Sequence, residues 1–292
     1  MSSFGPWFLG LALSCLIAMS AAAQEQALDV PAKIAAGDAF SIPTSGSGNA
    51  VLYIVGPAQV LKRDVQLGLP IALAAGDLTS AGHYLAILSS VSSTATAQFD
   101  VLPSTTAASL SFLARPSRLP VDLQNGITGA VYVFDSYRNL ITSPSSVDFQ
   151  LSVASAPTQA RTVSTSQGAA WTEMNSASRE GNAKFVAQVG DVSATRVIQQ
   201  VPGNPCNLTM TAHQAGNQLD LATNPVLDCS GNPVTDGTVV TFTESWSGGQ
   251  TTVDVPLKHD VARTEVPALP GARISVASGV ILGNEIRWEG RE

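Results

Sequence analysis

The sequence predicts an all-β protein of three tandem β-sandwich domains behind a cleavable N-terminal segment, and three observations carry that expectation. Apolar and polar residues alternate with a period of two along most of the chain. No stretch sustains the 3.6-residue apolar period of an amphipathic helix, and turn-forming clusters recur between the alternating runs. Val147, Phe149, Leu151 and Val153 alternate with Asp148, Gln150 and Ser152, while Val240 and Phe242 alternate with Thr241 and Thr243. Leu208, Met210 and Ala212 alternate with Thr209 and Thr211, and further strands are expected at 51–55, 84–88, 130–134, 184–189 and 273–277. Between them lie clusters such as Asn125-Gly126 and Ser230-Gly231-Asn232-Pro233, whose residues tolerate positive φ or preset a turn.

The N-terminus reads as a signal peptide over residues 1–23. Trp7 to Met19 is almost wholly apolar and uncharged, and Ala21-Ala22-Ala23 offers an A-x-A cleavage site before polar Gln24. The first six residues lack Lys and Arg, which departs from the usual charge asymmetry. A membrane anchor is the alternative, but the apolar run is shorter than the roughly 20 residues a span needs. Ser14-Cys15 invites a lipoprotein reading, against which the residues after Cys15 remain apolar. Cleavage leaves a mature chain without a transmembrane segment and with two cysteines, Cys206 and Cys229. An even pair in an exported chain predicts a disulfide, the alternative being free thiols in a reducing compartment.

The 292 residues carry 13% charged and 45% apolar side chains, so the chain should bury cores rather than remain disordered. The formal charge is −7 and the longest basic cluster is Lys62-Arg63, which removes the electrostatic footprint of a nucleic-acid binder. Pro-containing stretches at 101–106 and 201–205 divide the mature chain into segments 24–103, 104–202 and 203–292. Each is the size of one immunoglobulin-like sandwich.

The second and third segments share an order of features. Segment two runs Val131-Tyr132-Val133-Phe134-Asp135-Ser136-Tyr137-Arg138-Asn139-Leu140. Segment three runs Val226-Leu227-Asp228-Cys229-Ser230-Gly231-Asn232-Pro233-Val234 and enters its next strand through Gly237-Thr238-Val239-Val240-Thr241-Phe242. This pattern resembles the bacterial immunoglobulin-like group 1 domain of intimin and invasin type adhesins. Its hallmarks are a strand ending in Asp, a Gly-Asn-Pro-Val turn and a Gly-Thr-x-Val-x-Phe strand. Segment two departs from it, with Arg138-Asn139-Leu140 where Gly-Asn-Pro is expected. Segment one lacks the motif, but Leu78-Thr79-Ser80-Ala81-Gly82-His83-Tyr84 looks like the tyrosine-corner entry to a late sandwich strand. The resemblance implies adhesin-like use, although the outer-membrane barrel and long repeat array of such adhesins are missing from this sequence.

Enzyme chemistry finds little support. His83, His213 and His259 fall in three different segments, and no metalloprotease, Cys-x-x-Cys, nucleophile-elbow or phosphate-loop motif occurs. Asp228 and Asp236 offer hard oxygens for calcium, but Asp228 capping its turn and Asp236 beginning a tight Asp-Gly turn account for both. The Asn207-Leu208-Thr209 sequon carries no functional weight. Among the tryptophans, Trp246 precedes Ser247-Gly248-Gly249, a hairpin tip where an indole could stack on a sugar, and it equally continues the inward parity of Val240 and Phe242. Trp171 and Trp288 are expected in the core or packed at strand ends.

The sequence therefore predicts no catalytic residues, cofactor or metal. The expected function is that of a secreted, periplasmic or cell-surface structural, adhesive or protein-interaction module with a protein or glycan partner. The alternative is a carbohydrate-binding protein with Trp246 as its candidate contact.

Overall fold

The computed structural model describes residues 28–154 and 156–290; the signal-peptide assignment and Cys15 lie outside the described residues. The fold is all-β, tandem β-sandwiches, with only strands and turns among the described residues. Two compact units result, Met1–Val101 and Leu102–Glu292. The first holds one apolar core and the second holds two. Among the described residues no helix is long and apolar enough to cross a membrane.

In the first unit, Lys33–Ala35, Thr94–Leu102, Gly82–Ser90, Asn49–Val55 and Val60–Gln66 lie side by side in that order, and Phe40–Ile42 pairs with Ile71–Leu73. The period-two pattern sends Ala50, Leu52 and Ile54 inward from one strand and Tyr84, Ala86 and Leu88 from its neighbour. Tyr84 closes a tyrosine corner: its hydroxyl donates to the Ser80 carbonyl at 2.8 Å and its ring stacks on Phe99 at 5.5 Å. Gly56 permits this approach, since a Cβ there would come within 2.2 Å of the Tyr84 ring.

The second unit opens with a sandwich of two sheets. One orders Ala169–Met174, Ile127–Phe134 and Ser109–Arg115. The other orders Gln159–Ser164, Ser146–Ser152, Gly181–Val189, Val192–Val201 and Arg118–Pro120, the last pair parallel. Val147, Phe149 and Leu151 all point inward. Phe112, Phe149 and Phe185 meet between the sheets, with Phe112 edge-on to Phe185 at 5.1 Å.

The C-terminal sandwich sets Met210–Ala215, Gln218–Thr223 and Arg263–Pro267 against Gly249–Pro256, Val239–Trp246, Arg273–Ser278 and Ile281–Arg287. Leu208, expected on the first of these strands, is buried just before it. Cys206 also lies outside that strand. It sits on the short strand Pro205–Cys206, paired antiparallel with Leu227–Asp228, because Asn207 at φ 60° turns the chain between the two strands. The pairing brings Cys206 to Cys229, and a disulfide joins them across 23 positions.

Two outcomes test this packing. Gly129 lies under Phe185, where a Cβ would come within 2.6 Å of the ring. Gly129→Ala is expected to destabilise the Leu102–Glu292 unit by about 1–3 kcal/mol in denaturant melts. Replacing both Cys206 and Cys229 with Ser should remove about 3 kcal/mol by lengthening the unfolded chain's freedom, measured in the same way.

Candidate functional site

Two aspartates organise the second unit, and both follow from the repeat in sequence. Asp135 directly follows the Ile127–Phe134 strand and Asp228 ends the Leu227–Asp228 strand; they are 1% and 5% exposed. Asp135 Oδ1 accepts the N–H groups of Tyr137 at 2.9 Å and Asn139 at 2.8 Å. Its Oδ2 accepts Asn139 Nδ2 at 2.9 Å and the Ser104 N–H at 3.1 Å. Asp228 repeats the arrangement, with Oδ1 accepting Ser230 and Asn232 N–H and Oδ2 accepting Asn232 Nδ2 at 3.0 Å and Gly203 N–H at 2.9 Å. Each carboxylate thus orders its own turn and also ties down the segment entering its sandwich.

The turns match despite the departure in sequence. Arg138 stands at φ 66° where Gly231 stands at φ 79°, and in each loop the N–H of that residue donates to the Asp carbonyl at 3.1 Å. The left-handed conformation costs a side-chain-bearing residue roughly 1–2 kcal/mol, which the converging hydrogen bonds offset.

Asn232 adds a second role. Its Nδ2 donates to the Ser178 carbonyl at 2.8 Å and its Oδ1 accepts the Glu180 N–H at 3.3 Å, both on the middle sandwich. Ser230 Oγ also donates to Asp122 of that sandwich. The turn of one sandwich is therefore bonded to its neighbour.

Burial is the largest single influence on Asp135 and Asp228 and pushes their pKa values up. In both, the surrounding N–H donors together outweigh it and hold the carboxyl below its ordinary value. A depressed folded-state pKa contributes stability above the unfolded carboxyl range near 4, and that contribution fades as pH falls through the folded value. Asp228→Asn turns an amide toward the Gly203 and Asn232 donors, and a loss of about 1–3 kcal/mol is expected at pH 7. In thermal melts the difference from wild type should narrow as pH drops below about 4.

Glu244 has the opposite character. It continues the inward parity of Val240 and Phe242, is 1% exposed, and neither carboxyl oxygen has a hydrogen-bond partner. Burial pushes its pKa up. Such a group leaves stability intact below the unfolded Glu range and withdraws it as pH rises through the folded value. Glu244→Leu should therefore raise the stability of the C-terminal sandwich at pH 8 by about 1–3 kcal/mol, with the gain shrinking toward pH 4.

The remaining residues singled out in sequence are dispersed. His83 is exposed beside Asp100, with which it makes a short contact; His213 lies on the Met210–Ala215 strand; His259 occupies a turn at φ 50°. Asp236 is exposed, and no group of three or more His, Cys, Asp or Glu side chains converges on a metal-sized site among the described residues. Trp246 is half-buried, its indole Nε1 lying 2.7 Å from where a Cβ on Gly248 would stand, so the ring covers its own hairpin. Trp288 packs against the C-terminal core. Trp171, expected in the core or packed at a strand end, is instead 63% exposed in mid-strand, because Ala170, Thr172 and Met174 occupy the inward parity of its strand.

No family model matches this sequence, and no curated protein matches it. Among solved structures, invasin, described as a bacterial integrin-binding protein, is similar over 85% of this chain and 56% of its own, at 10% identity and a TM-score of 0.49. This chain thus spans little more than half of that one. InvD of Yersinia pseudotuberculosis is similar over 90% of this chain and 86% of its own, at 15% identity and a TM-score of 0.47. The chicken CNTN1 FN1–FN3 domains cover 87% of this chain at 10% identity and a TM-score of 0.37.

Proposed function

We propose that this chain is an exported, non-enzymatic string of immunoglobulin-like sandwiches, 24–103, 104–202 and 203–292, serving as an adhesive or protein-interaction module at a bacterial cell envelope. The observation that carries the reading is the pair of Asp-centred turns. Buried polar groups are spent on fixing the entry to each sandwich of the second unit, and at Asn232 on bonding one sandwich to the next. Such a molecule works by holding surfaces in fixed relation, which needs ordered joints rather than a convergent set of acids, bases and nucleophiles. The apolar N-terminal run and the Cys206–Cys229 bond support export, since disulfides persist in oxidising compartments.

The test expresses the chain with its native first 23 residues in a Gram-negative host, followed by fractionation, N-terminal sequencing and thiol labelling. A protein outside the cytoplasm that begins at Gln24 and carries no free thiol is expected. Retention in the cytoplasm with both thiols free contradicts the proposal. So does any turnover that survives purification and is lost on replacing His83, His213 or His259.

A further inference from the structure

The outer face of the three-stranded sheet in the middle sandwich carries a patch that matches itself. Register places Ala130 between Leu113 and Trp171, Thr128 between Arg115 and Glu173, and Tyr132 between Ser111 and Ala169. Their inward-facing neighbours fill the core, so these side chains share the outer face. Trp171, Leu113 and Tyr132 are 63%, 52% and 42% exposed, which is unusual for three large apolar residues in adjoining positions of one small sheet. Arg115 and Glu173 stand at opposite edges of the same row, and neither makes an ion pair among the described residues.

We infer that this face is a homophilic contact, taken by the same face of a second copy of the chain. A twofold axis along the central strand, in the plane of the interface, exchanges the two outer strands. Arg115 then lies over Glu173 of the second copy and Glu173 over its Arg115. Trp171 lies over Leu113 of the second copy, Leu113 over its Trp171, and Tyr132 meets Tyr132. The alternative axis, across the strands, sets Arg115 over Ser111 and Glu173 over Ala169 and leaves both charges unpaired, so the charge pattern selects the first. The arrangement is an isologous contact of aligned sheets. Three strands spaced about 4.8 Å apart and roughly 20 Å long present a face of about 300 Å², so two copies bury on the order of 600 Å² in total, the size of a weak contact. Such a contact forms where copies are crowded, as on a surface, and dissolves on dilution. It stands apart from whatever outside partner the chain binds.

Sedimentation velocity on the purified chain from about 1 µM to about 500 µM tests this. Wild type is expected to pass from monomer to dimer with concentration, and more weakly at high salt. Arg115→Glu and Glu173→Arg each set like charges together, and each alone should weaken dimerisation by about ten-fold or more. An equimolar mixture of the two single variants restores both opposite-charge pairs and should form a heterodimer, which also shows that each variant is folded. Trp171→Ser should be monomeric throughout. A wild type that stays monomeric at every concentration overturns the inference, including one that binds polysaccharide through Trp171. So does an Arg115→Glu variant that dimerises like wild type, or a mixture that gains nothing over its components.

Discussion

A buried carboxylate that accepts four N–H groups is the interaction on which the Leu102–Glu292 unit depends. Placing Asp135 or Asp228 in a nearly dry interior without a cation would be costly, and the cost is met by backbone and amide dipoles aimed at both oxygens. The geometry that satisfies the charge also fixes the turn and immobilises the chain entering the sandwich through Ser104 or Gly203. Charge, turn and domain entry are therefore one constraint, and it appears twice in the same chain.

Much of this was legible in sequence, and the parts that were not have identifiable reasons. The strands around Phe149 and Phe242 declared themselves because a half-buried strand must alternate. Asp228 was legible as a turn-capping residue from Gly231 and Pro233 beside it. The equivalence of Asp135 was harder to read, since Arg138 in a left-handed conformation carries no residue-level signal. Its loop is set by hydrogen bonds to Asp135 rather than by glycine's freedom. Trp171 was expected in the core or at a strand end, yet it shares parity with Glu173, and that parity places it outside. Glu244 shows the same lesson reversed: it lies on the inward parity of Val240 and Phe242, which outweighed its charge. The bond from Asn232 to Ser178 joins residues 54 positions apart, and nothing local announces it.

The two kinds of polar burial pull in opposite directions as pH changes. Asp135 and Asp228 strengthen the unit when ionised, whereas Glu244 strengthens it when neutral. The paired aspartates sit where the chain enters each sandwich, and Glu244 sits in the C-terminal core, so the joints and that core respond separately to acid. The disulfide closes the loop that contains the Met210–Ala215 and Gln218–Thr223 strands, a staple for the sandwich that also holds the unpartnered carboxyl.

Amide hydrogen exchange read residue by residue tests the central claim most directly. Ser230 lies in the turn after the Leu227–Asp228 strand, Asn232 two residues further on and Gly203 in a junction, all outside any strand ladder that would protect their N–H groups. If Asp228 holds them as described, all three should exchange on the slow timescale of the neighbouring strands and become fast together in Asp228→Ala, with the Val239–Trp246 strand still protected. Fast exchange of these three amides in the wild-type chain would contradict the account.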